Sequence, residues 1–176
     1  AFTQMRSGRP GPALVEIPVD VGNAEVDPAV VRNYRPVKIA KAQANPEEVM
    51  IAAKALLAAK RPVIQAGQGV LYAEATPELI ELAELMQVPV FSTLAGKSAF
   101  PESHPLALGS SGGGSMSGTA YHFIKEADLV FAIGSSLTRH GMSTNIPGGK
   151  IIIHNAADTI DLNKAYYADF PILGDA

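Results

Sequence analysis

Four short segments of this sequence carry the residue types from which a binding site could be made. The first is AGQGV, where Gly67, Gln68 and Gly69 directly follow an apolar run. Glycines at a strand end let backbone amides approach a phosphate with no Cβ in the way, and the next helix end adds a positive dipole. A full dinucleotide fingerprint would place a third glycine at position 72, where Tyr72 stands, and the next helix is expected only near Pro77. A tight turn without a ligand is the other reading of these glycines. The second segment is GSSGGGSMSGT, residues 109 to 119, which includes Gly112 and Gly113. Its amides and hydroxyls ahead of a helix suit an anion nest for a diphosphate, and its composition equally suits a surface linker. The third, IGSSLTRH, leaves a strand through Gly134 and Ser135 and reaches Arg139 and His140. Arg139 carries a fork of donors for a phosphate, or is simply a solvated loop residue. The fourth is His154, Asn155 and Asp158, at the end of KIIIHN. An acid at a strand terminus can accept ribose hydroxyls, or it can cap the helix that follows.

Beyond these segments no catalytic constellation is visible. His104, His122, His140 and His154 lie apart, without metal-ligand spacing, and no serine stands in a G-x-S-x-G elbow. Glu74, Glu78, Glu81 and Glu84 follow the solvated face of a helix. The sequence has no cysteine, which excludes disulfides, thiolate chemistry and cysteine-based zinc sites. Fourteen Lys and Arg against seventeen Asp and Glu give a formal charge of -3, with no basic stripe for a nucleic acid backbone. No run approaches the ~18 apolar residues of a membrane span, and the N-terminus lacks the order of a signal peptide. A cytoplasmic domain is the expectation. With 47% hydrophobic residues in 176, the chain can bury one full core.

The elements that would position these segments follow from periodicity. Asn45 and Pro46 open a helix running to about Lys60, with Val49, Met50, Ala53, Leu56 and Leu57 as its apolar stripe. RPVIQAGQGV then reads as strand and turn, and TPELIELAELM as a helix capped by Thr76. VPVFST is a strand, followed by a long loop through Pro105, the Gly/Ser tract, and a helix around Thr119 to Glu126. DLVFAIG and KIIIHN are further buried strands, a helix is expected over Ile160 to Ala165, and DFPILGDA closes the chain. Apolar runs alternating with helices predict an α/β fold, a doubly wound parallel sheet with helices on both faces. Ahead of it, Asn23 to Ala44 reads as a linker. SGRPGPALVEIPVDV, with its apolar Leu14, Val15, Ile17, Val19 and Val21, reads as the tail of a buried strand interrupted by Pro18.

These stretches together resemble a known family. SGRPGPALVEIPVDV is similar to the closing segment of the pyrimidine-binding domain of thiamine diphosphate enzymes of the acetolactate synthase group. RPVIQAGQGV, ELAELMQVPVFSTLAGKSAFPESHPLALG, ADLVFAIGSSLT and IIIHNAAD followed by LGDA resemble, in order and spacing, their central domain. The resemblance implies a Rossmann-like, nucleotide-binding-domain-like fold over 45–176, a linker over 23–44, and residues 1–22 as the tail of a missing N-terminal domain. It further implies a parent enzyme that uses thiamine diphosphate and Mg to decarboxylate a 2-keto acid and pass the remaining fragment to an acceptor. The cofactor's glutamate and its GDG motif would lie in flanking domains of the same chain, within a homo-oligomer. Central domains of this group are structural, and some also hold FAD or ADP. Flavin-binding members carry an arginine shortly after the third strand's glycine and an acidic pair in an HIDID-like stretch. Here Ser136 and Ala156 replace the arginine and the first acid, and Asp158 is kept. The fragment alone is expected to be inactive, the alternatives being a stand-alone ADP or FAD module and a purely structural spacer.

Overall fold

The structure, a computed structural model, describes residues 1–36, 38, 41–111, 117–143 and 145–176. Gly112 and Gly113 of the Gly/Ser tract fall outside these residues. The chain divides into two compact units, Ala1–Lys41 and Ala42–Ala176.

In the first unit the described residues form three short helices, α1 (Phe2–Arg6), α2 (Val19–Gly22) and α3 (Pro28–Arg32). The helix α3 starts where the side chain of Asp27 accepts from the Ala29 amide at 2.8 Å, and Pro28 supplies the preset φ of a first turn. The strand expected in the opening segment is absent from the described residues of this unit. Its apolar side chains stand in water, with Leu14 96% exposed and Val19 79% exposed. A strand needs a neighbour for its amides and carbonyls, and Pro10, Pro12 and Pro18 remove three of the donors a ladder would use.

The second unit is built on six parallel strands: β1 (Pro62–Ala66), β2 (Val90–Thr93), β3 (Ala107–Ser111), β4 (Leu129–Ile133), β5 (Ile151–Ala156) and β6 (Phe170–Leu173). Their order is β3-β2-β1-β4-β5-β6, so the chain starts at the centre, winds outward, and returns beside β1 to wind the other way. Helices α4 (Pro46–Ala58), α5 (Gln68–Ala73) and α6 (Thr76–Met86) put Ala52, Leu56, Val70, Leu79 and Ala83 against one face, where Ile64, Leu129, Phe131 and Ile153 meet them. Helix α7 (Gly118–Glu126) puts Ala120 and Ile124 against the other, with Val63, Val130, Ala132 and Ile152. Alternate residues of each strand serve opposite faces, and both faces are covered, which is why β4 reads as the unbroken apolar run LVFAI.

Four local expectations are corrected. Thr76 does not cap α6: it is the first helical residue, and its hydroxyl donates to the Ala99 carbonyl at 3.0 Å. A helix follows β1 at once, at Gln68, because the backbone at Gly67 is extended and the turn is complete within one residue. Residues 107 to 111, at the head of the Gly/Ser tract, form the edge strand β3, which pairs with β2 through an irregular register between Val90 and Ser92. The helix expected over Ile160 to Ala165 shrinks to one 3-10 turn, Thr159–Asp161, and the left-handed Asn163 (φ 56) breaks any continuation.

Two ties join distant parts of this unit. Asp128, just before β4, accepts from the amides of Lys60 (2.7 Å) and Arg61 (2.9 Å) ahead of β1. At the unit's own ends, the Asp175 amide donates to the Ala42 carbonyl at 2.9 Å.

Candidate functional site

In an open α/β sheet the crevice lies beyond the carboxyl ends of the strands where the winding reverses, here between β1 and β4. The turns leaving those strands cross there in close contact. The Gly67 amide donates to the Ile133 carbonyl at 2.9 Å, and the Gly69 amide to the Gly134 carbonyl at 2.8 Å. A Cβ on Gly67 would stand 2.2 Å from the Gly134 oxygen, and one on Gly134 2.6 Å from the Val70 nitrogen. Gly134 also takes a left-handed φ of 57°. The glycines are therefore required by backbone crossing backbone, and the amides of Gly67 and Gly69 face carbonyls of the protein. Gln68, between them, is exposed at the start of the six-residue α5.

Beneath this crossing lies a buried polar cluster. The Gln65 side chain, 3% exposed, donates from Nε2 to the Ser135 Oγ at 3.3 Å. The His154 ring, fully buried, places Nε2 2.7 Å from the Ser135 carbonyl oxygen. A carbonyl only accepts, so Nε2 carries the proton. Burial pushes the His154 pKa below its ordinary value of 6.5, against the opposing pull of the Ser135 carbonyl and the Asp161 charge. Asn155 clamps the neighbouring turns: Oδ1 accepts from the Gly134 amide at 3.1 Å, and Nδ2 donates to the Gly174 carbonyl at 3.1 Å.

Thus Gly67, Gly69, Gly134, Ser135, His154 and Asn155 are brought together at the carboxyl ends of β1, β4 and β5. Arg139 and Asp158 are engaged elsewhere. The Arg139 guanidinium lies 4.8 Å over the Tyr166 ring, with Nη2 3.5 Å from Asn145 Oδ1. Asp158 Oδ1 accepts from the Ile160 amide at 3.0 Å, capping the 3-10 turn. Sequence reasoning missed Gln65, whose signal was a single amide inside the apolar strand PVIQA. It also missed a groove of about 1060 Å³ at the opposite, amino-terminal end of β1 and β2, lined by Leu57, Lys60, Arg61, Leu85, Phe123 and Glu126.

Among the described residues no group of three or more His, Asp or Glu could hold a metal ion. No described helix is long and apolar enough to cross a membrane. Among the described residues its polar atoms fix the turns to one another.

A six-stranded parallel sheet wound both ways from its centre, with its crevice turns locked by glycine, defines a doubly wound α/β domain of the Rossmann-like kind. Residues 49–176 match the family of the thiamine pyrophosphate enzyme, central domain, and the chain belongs to it. It is 39% identical to acetolactate synthase of Arthrospira platensis, over 99% of this chain and 31% of that protein. It is 37% identical to glyoxylate carboligase of Escherichia coli O157:H7, over 100% of this chain and 30% of that protein. Among solved structures, benzoylformate decarboxylase from Polynucleobacter necessarius is similar with a TM-score of 0.64 and 26% identity, over 86% of this chain and 28% of that one. The chain thus spans about three-tenths of the length of the relatives it matches.

Proposed function

We propose that this chain acts as the central, non-catalytic domain of a longer thiamine diphosphate-dependent enzyme of the acetolactate synthase kind. The observation that carries the reading is the family match over residues 49–176, joined to relatives more than three times as long. The geometry supports it: the polar groups at the switch point hold β1, β4 and β5 in place and offer no reacting group. Thiamine diphosphate, when bound, supplies the electron sink for decarboxylating a 2-keto acid. On this reading its site and that of Mg belong to flanking domains of the same chain, and the parent is a homo-oligomer. Residues 1–22 close the preceding domain and 23–44 form the linker, which accounts for Leu14, Val15 and Ile17 lying in water here. Flavin is disfavoured here, because the amides of Gly67 and Gly69 are engaged and Ser136 and Ala156 stand where flavin-binding relatives carry an arginine and an acid.

Two measurements test the reading together. Immunodetection of the native polypeptide should find a species of about 60 kDa, the scale of three such domains. The 176-residue chain, given pyruvate, thiamine diphosphate and Mg, should release no carbon dioxide above a protein-free control, whereas the native enzyme should. Turnover by the short chain, or a native species of its own size, overturns it.

A further inference from the structure

The register of the sheet sets Gln65, Ala132 and His154 side by side on β1, β4 and β5. All three belong to the face that carries Val63, Val130 and Ile152, since residues two apart on a strand point the same way. The middle residue contributes only a methyl group. On either side stands a longer polar side chain, and buried Ser135 accepts from both, through Oγ from Gln65 and through its carbonyl from His154.

The hydrogen-bond inventory of these two side chains does not close. Gln65 has spent Nε2 on Ser135, yet Oε1 is buried with no partner among the described residues. His154 donates through Nε2, so Nδ1 of the neutral ring is an acceptor, and it too is buried with no partner among the described residues. Two acceptors without donors in one row, in an otherwise apolar layer, are costly unless something donates to both.

We propose that Gln65 and His154 enclose a site for one internal water over Ala132, the water donating one hydrogen to Gln65 Oε1 and the other to His154 Nδ1. The dimensions suit it. Two strand spacings separate the Cα atoms of Gln65 and His154 by about 10 Å. A water that donates both hydrogens, at its angle of about 105°, holds the two acceptors about 4.5 Å apart, and the side chains supply the remainder. Two neutral acceptors call for a neutral double donor, and water is the smallest molecule that satisfies both. Exchange of the Gln65 oxygen and nitrogen would turn the water's first bond round, so that it accepts from Nε2. The site itself would be unchanged.

The test is a crystal structure of the 176-residue chain at a resolution that shows ordered solvent, paired with water–protein Overhauser spectroscopy in solution. The expected result is a solvent peak within about 3.2 Å of both Gln65 Oε1 or Nε2 and His154 Nδ1, and a water cross-peak to the Ala132 methyl. In Ala132→Val, whose extra methyls fill the space, both signals should disappear. If that variant does not fold, the wild-type measurements decide alone. Wild-type density with no solvent there, a ring or amide turned onto a protein partner, or a water signal that persists in Ala132→Val would overturn the proposal.

Discussion

The glycine crossing at the switch point makes a quantitative demand on the sequence, and Gly67→Ala tests it. The new Cβ would lie 2.2 Å from the Gly134 oxygen and 2.6 Å from the Ser135 Cα, both backbone atoms that no rotamer change can move aside. Forcing a methyl into such a contact costs about 1–3 kcal/mol as the turns separate. Separation also stretches the bonds from Gly67 to Ile133 and from Gly69 to Gly134, each contributing about 1 kcal/mol. The expected loss is therefore about 3–5 kcal/mol. With a urea m-value of about 2 kcal/mol/M, the midpoint should fall by about 1.5–2.5 M. Gly118→Ala is the matched control, since a Cβ there meets nothing within 4 Å and the residue opens α7. Its midpoint should move by less than about 0.5 kcal/mol equivalent. Urea unfolding followed by circular dichroism reads both variants. Equal midpoints for the two would refute the argument that these glycines exist for backbone contact, and would return them to the role of a ligand-binding turn.

Two further expectations concern the polar groups. His154 is held neutral by burial, so its folded pKa lies below 6.5 and the unfolded chain takes up the proton first as pH falls. Its contribution to stability is then complete above about pH 6.5 and is lost as pH drops through the folded pKa. Urea midpoints from pH 8 to pH 5 should decline more steeply for wild type than for His154→Phe, and parallel declines would count against a neutral, buried ring. At the head of α7, Ser117 Oγ accepts from the Ala120 amide at 3.0 Å and donates to the Leu108 carbonyl. Ser117→Ala should cost about 1–2 kcal/mol by thermal or urea melting. Ser117→Asp, which keeps the acceptor but loses the donor, should fall between the two, and an alanine variant as stable as wild type would remove the cap from the account.

How much of this was legible in the chain depended on whether the information was local. β1, β4 and β5 are visible because strands buried on both faces need apolar residues at every position. β3 is not, because ALGSS is an edge strand whose glycine and serines look like loop and whose burial is partial. Glycine spacing announced that something approaches the turns at 67 to 69 and 134, but not what, since the partner of each turn lies far along the sequence. Asp158 shows the same limit from the other side: an acid after a strand fits a cap and a ribose contact equally until the Ile160 amide is seen on its oxygen. The pairing of Gln65 with Ser135, 70 residues apart, exists only once the sheet has formed.

The bond between the Asp175 amide and the Ala42 carbonyl closes the α/β unit into a near-ring, its first residue tied to its last but one. Beside it Gly174 packs against Ala44, where a Cβ would come within 2.7 Å of backbone. Because that clasp pins the two ends of the unit to one another, the loose termini that usually fray first are here part of the packed structure, and their order depends on residues far apart in the chain.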